Sequence, residues 1–198
     1  MNIAKIVKSN SHVDYVARVI DSLDSDTPPG ETDYGFGQFV ALPQSDDTEV
    51  IGVIYDSELV NPDYAGYGPR LSPKPDGSRF TPDYLNEQGT LLGILLLGWR
   101  DKKTGAVYQS MPRRVIPISQ EAVRMEDEAV IGFHRAENGE VQLHYYSQII
   151  DHAGVFSVAL LEAIIDQLLP SCNEAEQNRL NVLRQSLAWQ RTMSGMRL

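Results

Sequence analysis

The fold of this chain depends on one apolar run, Leu91-Leu92-Gly93-Ile94-Leu95-Leu96-Leu97, the most apolar stretch of the sequence. Its seven residues are far fewer than the roughly 20 that a membrane-spanning helix needs. A run of this length fits either a buried strand or a short core helix. Gly89 and Gly98, which bracket it, favour a strand covered on both faces.

Several other segments have strand character. In residues 13–19, apolar and polar side chains alternate with a period of two, which is typical of a half-buried strand. Further strands are predicted at residues 3–7, 35–42, 50–55, 115–118 and 141–146. Two segments are predicted as loops: residues 21–33, with five carboxylates around a Pro-Pro-Gly turn, and residues 61–82, with five prolines.

The last quarter of the chain changes to a helical period. Apolar residues at 158, 161, 164, 165 and 168 mark one helix face, and Pro170 follows its end. The stretch Ser171-Cys172-Asn173-Glu174 has the form of a capping box, which predicts a second helix with Leu180, Leu183 and Leu187 on its apolar face. The fold class is therefore mainly β (α+β), with a β-rich body over residues 1–150 and an antiparallel helical hairpin over residues 151–198.

Charge and cysteine content restrict the classes of function. The 198 residues carry a net charge of -10, which is unfavourable for binding nucleic acid or anionic membranes. Cys172 is the only cysteine, so the chain cannot form an internal disulfide, which indicates a reducing compartment. The first 20 residues contain no uninterrupted apolar segment typical of a signal peptide. We therefore expect a cytoplasmic protein.

Catalytic motifs are incomplete in this sequence. Gly93 and Gly98 have the glycine spacing of a phosphate-binding loop, but the required lysine and hydroxyl residue do not follow, so close backbone approach explains them better. Ser11, His12 and Asp14 are the residue types of a hydrolase triad, yet such neighbours predict a polar turn instead.

Metal and thiol chemistry are equally unsupported. Cys172 lies in the link between the two predicted helices, and nothing brings His134, His144 or His152 to it. The histidines lack zinc-ligand spacing, and the carboxylates of residues 21–33 lack the EF-hand order, which leaves a solvated loop as the better interpretation. We expect no cofactor, no metal and no catalytic residues.

One segment has the opposite charge to the rest of the chain. Residues 177–198 contain four arginines and no carboxylate, whereas residues 1–99 have a net charge of -9. Arg179, Arg184 and Arg191 are the candidate partner-binding residues, since a helix would place Arg184 and Arg191 on one face. The alternative is that these arginines neutralise the protein's own acidic groups or the helix dipole.

Five stretches of the first third of the chain form a pattern: AKIVKSNSHVDYV (4–16), YGFGQFV (34–40), VIYD (53–56), NPD (61–63) and GPRLS (68–72). This pattern resembles the HAS-barrel, the small β-barrel at the front of HerA-type hexameric DNA-pumping ATPases, which is related to the N-terminal barrel of ATP synthase α and β subunits. It implies a closed or nearly closed barrel that packs in a ring and helps dock a partner nuclease. The ATPase module of that family has no counterpart in this chain, so ring formation and docking are analogies.

Three functional hypotheses follow. The first is a non-catalytic interaction or assembly protein that binds a protein partner or a second copy of itself. The second is an adaptor for DNA-processing machinery that contacts nucleic acid or an acidic partner through the basic C-terminal helix. The third is an enzyme of unrecognised type, with residues 61–82 as a lid over its site.

Overall fold

A computed structural model describes residues 1–61 and 88–195, with side chains described to residue 189. The strands in these ranges are β1 (Asn2–Ser9), β2 (Asp14–Val19), β3 (Phe39–Pro43), β4 (Thr48–Val60), β5 (Gly89–Asp101), β6 (Val107–Tyr108) and β7 (Glu121–Arg124). The α-helices are α1 (Asp127–Phe133), α2 (Tyr146–His152), α3 (Ser157–Leu168) and α4 (Glu174–Gly195). The predicted loop at residues 61–82 lies, apart from Asn61, outside the described residues.

Six of the strands close into an antiparallel barrel. They follow one another in the order β2-β1-β7-β3-β4-β5, and β2 then pairs with β5. In this closing pair, Tyr15 lies opposite Ile94 and Ala17 lies opposite Leu92. The short β6 pairs with β5 further along, at Trp99 and Arg100. The mainly β, α+β fold predicted from the sequence is therefore confirmed, with the β-rich part closed as a barrel.

The apolar run lies in β5, which is buried on both faces. Leu92 and Ile94 project to one side and Leu95 to the other, and these residues, Leu96 and Leu97 are all inaccessible to solvent. This burial is the arrangement that the continuous apolar run predicted. Gly98 also has the predicted role, because a Cβ atom there would overlap the Tyr108 carbonyl oxygen on β6.

The helices cover the barrel and share its core. Five residues of α3 are buried: Leu160, Leu161, Ile164, Ile165 and Leu168. They belong to the same apolar cluster as the barrel residues, together with Leu180 and Leu187 of α4. By length and composition alone, residues 154–171 could cross a membrane, a criterion that core helices also meet, and 33% of this stretch is buried in the structure. The predicted C-terminal helical pair is thus present.

Two predicted strands are wrong. Residues 115–118 form a connection, in which the Ile116 N–H donates to the Tyr15 hydroxyl and the Ser119 N–H donates to the Ile6 carbonyl. Pro112 and Pro117, which have no N–H to donate, interrupt this connection, and the strand begins only at Glu121.

Residues 141–146 contribute one isolated bridge, between Arg135 and Val141, before α2 begins at Tyr146. The first α-helix therefore begins at Asp127, within residues 1–150.

Two predicted boundaries are displaced. β3 begins at Phe39 instead of residue 35, because Gly37 has a φ of 82° and leaves the extended conformation. The capping box of α4 is formed by Asn173 and Glu176, each side chain accepting the other residue's backbone N–H at 3.0 and 2.9 Å. Ser171, the predicted cap, instead donates its hydroxyl to the Leu168 carbonyl.

Candidate functional site: an acidic aromatic groove

An accessible depression beside the barrel lies where loop residues 31–36 meet the far end of β4. We call it the aromatic groove, a cavity of about 520 Å³. Its walls come from four parts of the chain: Glu31, Tyr34, Gly35 and Phe36 from the loop, Ile54, Tyr55, Asp56, Ser57 and Leu59 from β4, Thr90 from β5, and Phe156 from the turn before α3. Sequence reasoning did not assign a site to this place.

Large apolar side chains on the groove remain open to solvent. Phe36 is 47% exposed and Phe156 is 39% exposed, and their rings meet edge to face with centroids 6.1 Å apart. Leu59 is 81% exposed. Single exposed apolar residues are common, but three around one concave surface are typical of a binding site for another molecule.

The fold holds the two phenylalanines in place. The left-handed turn at Gly37 lets its N–H donate to the Ile54 carbonyl at 2.8 Å, which anchors Phe36 beside β4. A Cβ atom on Gly37 would lie 3.5 Å from Ala163 of α3, so this turn sits directly against the helix. Phe156 lies in the 3-10 turn that precedes α3. Barrel and helices therefore both position the groove.

The groove is acidic. Glu31 and Asp56 form part of its wall, and neither makes an ion pair with any residue in the described ranges. Burial, together with the carboxylates of Glu31 and Asp33, raises the pKa of Tyr34. Burial and the Asp14 carboxylate, which accepts the Tyr55 hydroxyl at 2.9 Å, raise the pKa of Tyr55. Both tyrosines are therefore neutral hydrogen-bond donors at physiological pH.

Beside the groove, one edge of β4 has no strand partner among the residues that the structure describes. On one side, β3 pairs with β4 only as far as Val53, which lies opposite Phe39. On the other side, β5 pairs with β4 as far as Val60. The Ser57 N–H is bonded instead to the Asp56 carboxylate, at 2.8 Å. Within the described ranges, residues 57–60 thus have a strand neighbour on one side only.

A second, smaller depression of about 340 Å³ lies at the other end of β4 and β5. Trp99 forms part of its wall and stacks on Tyr108 with centroids 5.0 Å apart. Arg114 and Asp46 close one side as an ion pair of 2.5 Å. Hydrogen bonds from Thr48 and then from Arg114 lower the pKa of Asp46 to about 2, so this pair stays charged at physiological pH. Arg113 also forms part of this wall, so the second depression is positively charged, opposite to the aromatic groove.

Two of the three predicted partner-binding arginines make ion pairs in the structure. Arg179 pairs with Glu140 at 3.6 Å, and Arg184 pairs with Asp166 at 2.9 Å. Both carboxylates belong to the second half of the chain, so these arginines neutralise nearby groups. The side chain of Arg191 lies outside the described residues.

The other chemical candidates have structural roles. Ser11 accepts the Asp14 N–H at 3.2 Å, which is the predicted polar turn, and His12 contacts the Pro112 carbonyl at 2.7 Å. The buried Cys172 thiol donates to the Leu168 carbonyl, and burial raises its pKa. No group of three or more His, Cys, Asp or Glu side chains in the described part of the chain has the arrangement of a metal site.

Sequence signals for the groove existed but were ambiguous. Phe36 lies in Tyr-Gly-Phe-Gly, where the glycines mark a turn as well as they mark a strand. Phe156 follows Gly154-Val155 just before the α3 pattern, a position that a solvated helix end would also occupy. Only the three-dimensional structure shows that these residues meet.

Comparison with known proteins gives one result on family membership. No curated protein matches the chain. A family model described as "Domain of unknown function (DUF8166)" matches residues 1–197. The match covers nearly the whole chain, barrel and helices together, so the chain belongs to the DUF8166 family.

Proposed function

We propose that this chain is a non-catalytic interaction protein, built on a HAS-like barrel, that binds a protein partner through the aromatic groove. The observation that carries the proposal is the exposure of Phe36, Phe156 and Leu59 around one cavity. Removing such side chains from water on binding is favourable by roughly 25 cal/mol per Å² of apolar surface. Small closed barrels serve as scaffolds for many binding surfaces, and the closure of this one supports the HAS-like part of the proposal.

The placement of the buried polar groups supports a non-catalytic role. His134 and Tyr145 are bonded to each other inside the core, away from either depression. Glu49 is neutralised by Arg100 and Lys102, and Glu176 by Arg135. A general acid or base has to reach its substrate, whereas these groups satisfy each other in the interior.

Site-specific photocrosslinking in the native host tests the proposal. A benzophenone amino acid replaces Phe36, because a similar aromatic side chain there preserves the shape of the groove. We expect a discrete crosslinked product, identified by mass spectrometry. A product of twice the 22.1 kDa chain mass would identify the partner as a second copy.

The matched control carries the same photoreactive residue at Val182, which is 66% exposed on α4 and outside the groove. The proposal requires a product that forms at position 36 and not at position 182. Equal labelling at both positions, or none at position 36, would contradict it.

A further inference from the structure

We propose that the partner presents an extended segment containing arginine or lysine, and that this segment adds as a strand to the edge of β4 at residues 57–60, which pairs with no strand in the described part of the chain. This inference rests on the proposed function, since it names the chemical class of the partner at the same groove. Strand addition to an exposed edge uses main-chain hydrogen bonds for affinity and alternate side chains for specificity.

The direction of the backbone groups supports strand addition. Successive residues of a strand send their N–H and C=O groups to opposite sides. The Leu96 N–H donates to the Val13 carbonyl on the β2 side of β5, so by alternation Leu92 and Thr90 also face β2. Their partners on β4, Ser57 and Leu59, therefore point their N–H and C=O groups away from β5. An incoming strand would find donors and acceptors at the usual spacing of two residues.

The chemistry of the groove selects a basic segment. The Asp56 carboxylate caps the Ser57 N–H, and an incoming carbonyl oxygen would take over that N–H. Asp56 would then be released to pair with a basic side chain, with Glu31 on the same wall as a second acceptor. The faces of Phe36 and Phe156 add favourable contacts for a guanidinium or ammonium group.

A second copy of the chain is a poor match for this site. Two copies paired by a two-fold axis would bring the same acidic surface against itself. Each copy also carries a net charge of -10. Charge complementarity therefore favours a different protein with a basic extended segment.

Binding of synthetic peptides to the full chain tests the inference. The probe is a fluorescent peptide of about nine residues that alternates valine with arginine or lysine, a length typical of one strand. Its charge control replaces each basic residue with glutamate. We expect the basic peptide to bind at least about tenfold more tightly, measured by fluorescence anisotropy at fixed salt.

Methylated peptides test the strand geometry separately from the charge. Two further versions of the basic peptide carry N-methyl groups on alternate amides, one on the odd and one on the even positions. An added strand donates from one set only, so one methylated peptide should bind like the parent and the other should lose binding. Equal binding by both versions would overturn strand addition.

Variants of the protein locate the site. Leu59→Pro removes the outward N–H, whereas Leu59→Thr keeps it and serves as the matched control for the lost leucine side chain. Asp56→Asn with Glu31→Gln removes two groove charges, and Glu137→Gln removes one charge elsewhere on the surface. We expect loss of binding for L59P and weakened binding for the double variant. Thermal melting of each variant verifies that it is folded.

Failure of this inference differs from failure of the proposed function. If crosslinking at position 36 captures a partner while the peptides bind without preference for charge or methylation pattern, the function stands and the strand-addition model is wrong. If the crosslinked product contains a second copy of the chain, the groove does bind a protein, but the inference of a different, basic partner is wrong. Without a crosslink at position 36, both proposals fail.

Discussion

His134 shows what complete burial does to a titratable side chain in this protein. Its Nδ1 lies 2.7 Å from the Val130 carbonyl oxygen, which can only accept, so Nδ1 carries the proton. The Tyr145 hydroxyl then donates to Nε2 at 2.5 Å. This arrangement satisfies a neutral imidazole. Burial lowers the pKa of His134 to about 4, because a charged ring inside the core would be poorly solvated.

The lowered pKa predicts a specific acid destabilisation. In the unfolded chain His134 takes up a proton near pH 6.5, whereas the folded protein resists protonation down to a pKa of about 4. The stability that neutral His134 contributes to the folded state is therefore fully present above pH ~6.5 and is lost as the pH falls towards the folded-state pKa. We expect the free energy of unfolding to drop by about 1.4 kcal/mol per pH unit over this window, about 3 kcal/mol in all. Urea unfolding at several pH values measures it.

The variant His134→Gln provides the decisive comparison. It should be less stable than the natural chain at neutral pH, because the core hydrogen bonds change, but its stability should depend less on pH between pH ~6.5 and ~4.5. His152→Gln is the matched control, since His152 is exposed. If H134Q retains the full pH dependence of the natural chain, another group causes it.

At the scale of secondary structure elements, α4 is held by one end and one face. The capping box of Asn173 and Glu176 fixes its start, and Glu176 also accepts from Arg135 at 2.7 Å. Backbone N–H donors, Asn173 first, lower the pKa of Glu176, so its carboxylate stays charged at physiological pH. Beyond this end, Leu180 and Leu187 are buried, and Leu183 is only partly buried. The apolar face predicted from the sequence is thus real but narrow.

The unequal burial predicts an ordered pair of mutational effects. Leu187→Ala should lower the free energy of unfolding by about 2–5 kcal/mol, as for other fully buried leucines. Leu183→Ala should cost clearly less, because its side chain already contacts solvent. Denaturant unfolding of the two variants measures the difference. Equal losses would mean that α4 packs differently from the structure described here.

Element type was predictable where one local pattern dominated. The run at residues 91–97, the alternation at residues 13–19 and the α3 face were all interpreted correctly. The strands predicted at residues 115–118 and 141–146 were wrong, because the conformation of a short apolar stretch depends on its contacts with distant parts of the chain. At residues 116 and 119, for example, these contacts are with Tyr15 and Ile6. The groove forms only where segments that are distant in sequence meet, so its residues could be recognised individually but not as a site.

At the scale of the whole molecule, charge is the dominant property. The net charge of -10 lies mostly in residues 1–99, which hold the groove carboxylates Glu31 and Asp56. Copies of the chain therefore repel each other, and the surface proposed to bind a partner shares this negative charge. The ring assembly implied by the HAS-barrel resemblance would have to overcome this repulsion.

Light scattering behind size-exclusion chromatography measures whether the chain self-associates despite this repulsion. We expect a monomer of 22.1 kDa at low salt, and the same mass at high salt, where repulsion is screened. A monomer at both salts indicates that no strong self-complementary surface exists. A closed oligomer at either salt would contradict this expectation and would favour the ring assembly of HAS-barrel proteins.

The placement of the two tryptophans makes the protein its own optical reporter. Trp99 is partly covered and stacked on Tyr108 at the barrel, whereas Trp189 is 68% exposed on α4. The first should therefore emit at shorter wavelength than the second. A phenylalanine at either position would isolate the other signal. Fluorescence could then show whether the barrel opens and α4 detaches in one step or two, without any added label.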